Sequence, residues 1–326
     1  MQKTDKPRIV FLDAATVDYG DLDLSVLVKY GKLRLYPLTR GRKTLLERIR
    51  GAGIVITNKC VFDREVFAAA PELRLLALTA TGTNNVDLAE ARRRGVAVCN
   101  VAGYSTRSVA ELTLAMMLAL NTRLVDYAQK TPRLWPRAKM FTLPLYPYLE
   151  LEGRTLGIIG YGQIGRSVAR MARLLGMKVL AARMPSRHYG RHDSRGPARV
   201  SLAELARRSD VVSIHAPLTE STRHLVGEEF ISRMKKGAFL INMARGPLWD
   251  EAAVCRHLKS GHLGGAASDV FSTEPPPAGH PLLGAPRLLL TPHIAWAGLA
   301  ARRRLVDEIG RNISAFLGGK SRNRVA

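Results

Sequence analysis

Short apolar runs recur between longer polar stretches over the first hundred residues, at positions 9–12, 54–57, 75–79 and 96–99. Continuous runs of four or five apolar residues, separated by helix-like segments, predict strands of a parallel sheet buried on both faces. Residues 108–120 are apolar almost all round, with Glu111 the only charge, which predicts a long buried helix joining two domains. From residue 155 the alternation is regular. Strands are expected at 155–159, 178–182, 211–214, 238–242, 264–268 and 288–290, with helices at 164–175 and 298–317, the last stopped by Gly318-Gly319. Ser201 and Glu204 have capping-box spacing, in which each side chain satisfies a free N–H at a helix start. Residues 121–151 break the pattern. Pro132, Pro136, Pro144 and Pro147 are expected to interrupt any helix there, while Trp135, Phe141, Tyr146 and Tyr148 need a surface to cover them.

The 326 residues suffice for about two domains. The 50 Lys and Arg outweigh 27 Asp and Glu, a formal charge of +23 that raises nucleic acid or an anionic membrane as a partner. The arginines are scattered, however, and neither zinc-finger spacing nor an aromatic RNA-binding motif accompanies them, so an enzyme that handles anions is the expectation. No nucleic acid and no membrane partner is expected. Cys60, Cys99 and Cys255 stand far apart, which suggests neither a disulfide framework nor a zinc ribbon, and without clustered His and Cys ligands no metal is expected. No apolar run reaches membrane-spanning length, and the expected location is cytoplasmic.

Gly160-Tyr161-Gly162-Gln163-Ile164-Gly165 follows the strand at 155–159 and opens a helix, the context in which G-x-G-x-x-G binds a dinucleotide. Gly160 permits the tight turn, Gly162 lets the backbone approach a pyrophosphate, and Gly165 allows helix and strand to pack closely. The next strand ends Ala181-Ala182-Arg183-Met184-Pro185-Ser186-Arg187, and no Asp or Glu occurs between Arg166 and His192. A carboxylate there would bond the ribose diol and repel a 2'-phosphate, whereas Arg183, Ser186 and Arg187 suit one. NADP(H) is therefore the expected cofactor, with NAD(H) possible.

Three further segments follow predicted strands: Ile241-Asn-Met-Ala-Arg-Gly246, Ser268-Asp-Val-Phe-Ser-Thr-Glu-Pro275 and Thr291-Pro-His-Ile-Ala-Trp296. The carboxyl ends of strands line the ligand crevice of an open α/β sheet, so Arg245, Glu274 and His293 can converge there. A guanidinium clamps a carboxylate in bidentate fashion, and a histidine oriented by a carboxylate exchanges a proton with a carbinol oxygen near neutral pH. The other seven histidines, His215 and His280 among them, read as packed or surface groups.

These segments, with the glycine fingerprint and Ser105-Thr-Arg-Ser-Val-Ala-Glu111, resemble the D-isomer-specific 2-hydroxyacid dehydrogenase family nearly end to end. Within it, Ile56-Thr-Asn-Lys59, Ala80-Thr-Gly-Thr-Asn-Asn-Val-Asp87 and Thr291-Pro-His-Ile-Ala-Trp296 are similar to the glycerate dehydrogenase branch, which reduces hydroxypyruvate and glyoxylate. The resemblance implies Arg245, Glu274 and His293 as the catalytic residues and Asp269 as the holder of the nicotinamide carboxamide. It implies further cofactor contacts at Gln163, Ile164, Ala216, Pro217, Thr222, Met243, Ala244 and Thr106, and substrate contacts at Thr81, Gly82, Arg245, His293 and Trp296. Leu112 departs from the family, many of whose members carry His there, and Pro247 and Trp249 alter the loop after Arg245.

Pattern and resemblance together imply two doubly wound α/β domains with a cleft between them. Residues 1–103 begin a flavodoxin-like substrate domain, 104–294 form a Rossmann-type dinucleotide domain, and 295–326 return to the first. A homodimer through residues 121–151 is expected. The same fold is similar to dinucleotide-binding corepressors and to phosphoglycerate dehydrogenases, which remain alternatives at this stage.

Overall fold

Segments buried on both faces need no polar alternation, and the apolar runs of this chain become strands of two parallel sheets. The computed structural model describes residues 6–185 and 196–326. The chain divides into Met1–Ser105 with Ala297–Ala326, and Thr106–Trp296.

In the first unit, β1 (Arg8–Phe11), β2 (Lys32–Leu35), β3 (Ile54–Thr57), β4 (Leu75–Leu78) and β5 (Ala97–Cys99) form a parallel sheet in the order β2-β1-β3-β4-β5, the flavodoxin-like order. Every residue of β3 and β4 is buried. Helices α1 (Arg42–Ile49), α2 (Arg64–Ala68) and α3 (Leu88–Arg93) connect the strands. Asp63 and Asp87 cap α2 and α3 by accepting free N–H groups of the first turn. The end of the chain lies along β5: the Val98 N–H donates to the Ala326 carbonyl at 3.1 Å, and the Val325 N–H returns a bond to Val98 at 2.8 Å.

The second unit opens with α4 (Thr106–Thr122) and α5 (Leu124–Leu134). There follow β6 (Thr155–Ile159), α6 (Gln163–Leu174), β7 (Lys178–Ala182), β8 (Ala198–Val200), α7 (Leu202–Arg208), β9 (Val211–Ile214), α8 (Glu228–Ser232), β10 (Ala238–Asn242), α9 (Glu251–Lys259), β11 (Leu263–Ser268) and β12 (Leu288–Leu290). Their order, β12-β11-β10-β9-β6-β7-β8, is the doubly wound one, with the topological switch between β6 and β9. The last helix, α10 (Leu299–Leu317), belongs to the first unit.

Three expectations need correction. Residues 121–122 end α4, and α5 forms across Pro132. Arg123 in the left-handed region separates the two helices at a bend of 50°. Proline removes only its own donor; the Trp135 N–H still reaches the Thr131 carbonyl, and Pro136 falls in the following 3-10 turn, where no donor is needed. Second, α4 buries a single face: Val109, Ala110, Thr113, Met116, Met117 and Leu120 are inside, while Glu111 and Leu118 are exposed. Third, half of the capping box forms. Ser201 Oγ accepts from the Glu204 N–H at 3.1 Å, but the Glu204 carboxylate pairs with Arg208 instead. All three cysteines are free thiols. No single helix among the described residues is long and apolar enough to cross a membrane.

Candidate active site

Gly160 stands at φ +94°, a conformation L side chains avoid, and a Cβ there would come within 2.4 Å of the Ala216 nitrogen after β9. The two loops flanking the switch point therefore touch through backbone alone. A Cβ on Gly165 would lie 2.4 Å from the Gly160 carbonyl oxygen, so this glycine lets α6 close onto β6. At Gly162 a Cβ would meet no protein atom within 4 Å. The space beside Gly162 is thus open, directly before the free N–H groups of α6, as a pyrophosphate requires. Thr106 Oγ1 lies 3.4 Å from Gln163 Oε1 at that helix start. The residues present fit a dinucleotide.

The β7 end is Ala182 followed by exposed Arg183, whose N–H donates to the Val200 carbonyl and whose side chain has no partner among the described residues. Ser186 and Arg187 lie outside the described residues. On β8, Arg199 stacks over the Tyr161 ring at 5.5 Å, a basic group near the fingerprint that the sequence motif did not reveal.

At the end of β11 and β12 a carboxylate and an imidazole meet. Glu274 Oε2 lies 2.6 Å from His293 Nδ1, while its Oε1 accepts the Phe271 N–H at 3.0 Å. His293 has φ +56°, held there by the loop it sits in. Buried Asp269 clasps that loop: its Oδ1 accepts the Thr291 hydroxyl at 2.6 Å and the Ile294 N–H at 2.8 Å, and its Oδ2 accepts the Ala295 N–H at 2.8 Å. Burial pushes the Asp269 carboxyl above the usual range, opposed by these bonds. Trp296 closes the segment, its indole N–H donating to the His293 carbonyl at 2.8 Å. With Nδ1 taken by Glu274, Nε2 is the nitrogen of His293 that carries no partner among the described residues.

Arg245 follows β10 and is half-buried, with Nη1 on the Ala244 carbonyl at 2.7 Å. Fully buried Asn242 shapes its loop, donating to the Arg245 carbonyl and accepting from the Ala244 N–H. A Cβ on the next residue, Gly246, would fall 2.0 Å from the Phe271 carbonyl carbon. The loops of Arg245 and Glu274 are therefore packed backbone against backbone. Asn242, inside a quoted motif, had no role from sequence; its signal was an amide ending an apolar strand.

Other expected residues take plainer places. Ala216 and Met243 are buried, Ala244 and Ile164 are half-buried, and Pro217 is exposed. The buried Thr222 hydroxyl donates to the Pro217 carbonyl and accepts from the Thr219 N–H, so it shapes the loop from within. Trp249 is wholly buried and fills the core. His215 packs against Ser213 at 2.8 Å, and burial pushes its pKa down to about 3, so the ring is neutral. Thr81 and Gly82 belong to the first unit. There the Thr81 hydroxyl donates to the Val101 carbonyl at 2.8 Å, and Asn100 Nδ2 holds the Thr81 carbonyl at 2.7 Å.

Comparison with known proteins bears on this geometry. The family model for the NAD binding domain of D-isomer specific 2-hydroxyacid dehydrogenases matches residues 114–295. A glycerate dehydrogenase of Methylorubrum extorquens is 38% identical over 321 residues, covering 98% of both chains. A hydroxypyruvate reductase of Blautia hydrogenotrophica is 37% identical over 321 residues, covering 98% of this chain and 99% of its own. The crystal structure of a glyoxylate reductase from Paecilomyes thermophila superposes with a TM-score of 0.83 at 26% identity, covering 98% of each chain. With the dinucleotide fingerprint at the switch point and a carboxylate–imidazole pair at the strand ends, the chain belongs to the D-isomer specific 2-hydroxyacid dehydrogenase family.

Proposed function

We propose that the protein reduces small 2-keto acids such as glyoxylate and hydroxypyruvate to D-2-hydroxy acids, and runs the reverse oxidation, with a nicotinamide dinucleotide. The observation that carries this reading is the 2.6 Å contact of Glu274 with His293 beside the loop of Arg245. The bound nicotinamide supplies or accepts the hydride. Arg245 holds the substrate carboxylate as a planar fork and polarises the neighbouring carbonyl. As C2 is reduced its oxygen becomes an alkoxide, and His293 delivers the proton from Nε2. Glu274 keeps the imidazole in the tautomer and orientation that this transfer needs. In oxidation the same nitrogen takes the proton back. Steady-state reduction of glyoxylate, hydroxypyruvate, pyruvate and a branched keto acid tests the assignment; a higher kcat/KM for the branched acid than for the two small ones overturns it.

For the cofactor, we infer a preference for NADP(H). The support is an absence and a presence: no carboxylate ends β7, and Arg183 stands there exposed, its side chain without a partner among the described residues. A charge-assisted hydrogen bond to phosphate is worth about 1.5–3 kcal/mol, enough for roughly tenfold discrimination or more. The kcat/KM ratio of NADPH to NADH is expected to exceed about ten and to reverse in Arg183→Asp. A wild-type preference for NADH would defeat the inference.

We further infer a homodimer through residues 121–151. Leu124, Val125 and Trp135 of α5 and its following turn are exposed, as are Met140, Phe141, Tyr148 and Leu149, and a helix with no buried residue is unusual unless another surface covers it. Sedimentation should give twice the chain mass, and Leu124→Asp with Phe141→Asp should shift it to the monomer. A wild-type monomer at micromolar concentration would rule this out.

A further inference from the structure

The loop that carries Glu274 is gripped from a second direction. Glu251, the first residue of α9, is half-buried, and its Oε1 accepts the Ser272 N–H at 2.8 Å. Its Oε2 faces His280 Nε2 at 3.2 Å. The Leu282 N–H donates to His280 Nδ1 at 3.3 Å, so Nε2 is the ring nitrogen that donates its proton to Glu251. One residue before Ser272, the Phe271 N–H donates to Glu274 Oε1, and the Phe271 ring meets the His280 ring at right angles, 5.2 Å between centroids. Residues 271 and 272 are thus fixed by the Glu251 carboxylate on one side and by the backbone of Gly246 on the other. Among the described residues, the side-chain hydrogen bonds of Glu251 and His280 run to the Ser272 and Leu282 N–H groups and to each other, not to His293.

We propose that Glu251, braced by His280, is a positioning residue of the reaction: its carboxylate fixes the backbone at 271–272, from which the Phe271 N–H aims Glu274 at His293. The proposal rests on reading Glu274 and His293 as the proton-transfer pair. Its chemistry is that of a built hydrogen-bond chain, from Leu282 through His280 and Glu251 to Ser272, ending one residue after the Phe271 N–H that holds Glu274. Displacing a catalytic group by about 1 Å can cost on the order of a hundredfold in rate, so a clamp one peptide away is felt in kcat.

Reach separates this role from a charge at a helix start. Glu251→Gln keeps the length and an acceptor for Ser272 but loses the charge and sets its amide NH2 against the His280 Nε2–H, so it keeps the clamp without the brace. Glu251→Asp keeps the charge in the first turn of α9 but falls short by about 1.5 Å. With NADPH and glyoxylate, Glu251→Gln, which keeps the clamp but loses the brace, should cost less than about tenfold in kcat, while Glu251→Asp and Glu251→Ala lose more than about tenfold, the dissociation constant for NADPH staying unchanged in all. The opposite ranking, with Asp active and Gln impaired, overturns the proposal. In a Glu274→Ala background, where nothing is left to aim, Glu251→Ala should cost less than about threefold further; full multiplication of the two losses also overturns it. Wild-type turnover in Glu274→Ala and His293→Ala would refute the pair itself and the proposal with it. Collapse there beside wild-type turnover in Glu251→Asp would refute the positioning role alone. Thermal melts accompany each variant, and if Glu251→Ala does not fold, the Asp and Gln arms decide.

Discussion

His293→Ala is expected to lower kcat for keto-acid reduction by about 10²- to 10⁴-fold, the usual contribution of a placed general acid. The dissociation constant of the dinucleotide should stay nearly unchanged, because the imidazole lies on the loop after β12 while the fingerprint follows β6, and the two are built independently. The loop itself should survive the change. Asp269 holds it through Thr291, Ile294 and Ala295, none of which involves the imidazole. Pre-steady-state reduction with a fluorescence titration of NADPH separates the two quantities. Turnover near that of the parent would remove His293 from the mechanism, and a matching loss of cofactor affinity would point to a collapsed loop instead.

Gly246→Ala should be as damaging although it touches no reacting atom. The added methyl would sit 2.0 Å from the Phe271 carbonyl carbon and 2.2 Å from the Ser272 nitrogen. Both neighbours are backbone, so no side chain can turn away. The loop of Arg245 or the loop of Glu274 must move, and a shift of about 1 Å suffices for a loss on the order of a hundredfold in kcat. Overpacking of this kind also costs typically about 1–3 kcal/mol of stability. A kinetic assay beside a denaturant melt tests both effects; parental kcat in a normally folded variant would mean that the two loops are not mutually fixed.

Interior strands were legible because burial on both faces writes an apolar run into the chain, as in β3, β4 and β9. Two strands were not. β2 is Lys-Leu-Arg-Leu and β8 is Ala-Arg-Val; each lies at a sheet edge with exposed positions, so no unbroken run marks it. Helix α5 was hidden for a related reason: it buries no residue completely, and its prolines read as breaks when one of them lies inside the last turns. At the site, Glu274, His293 and the glycines were legible because their chemistry is tied to residue type and to strand ends. Glu251 was not, because it acts on the backbone of another segment and such a bond leaves no spacing in the sequence; Asn242 and His280 bond backbone two or three residues away, in loop contacts that no motif marks. Thr222, a cofactor contact implied by the resemblance alone, has its hydroxyl bonded within its own loop.

The pairing of the chain end with β5 bears on how this protein avoids its own copies. An open sheet edge is a template for aggregation unless charge, brevity or a cover blunts it. β2, at the far edge of the same sheet, carries Lys32 and Arg34 and is guarded by charge. β5 is Ala-Val-Cys, uncharged and buried, and has no such guard of its own. Residues 323–326 supply it by taking hydrogen bonds that a foreign strand would seek, so the pairing that completes this sheet also blocks edge-to-edge association between copies.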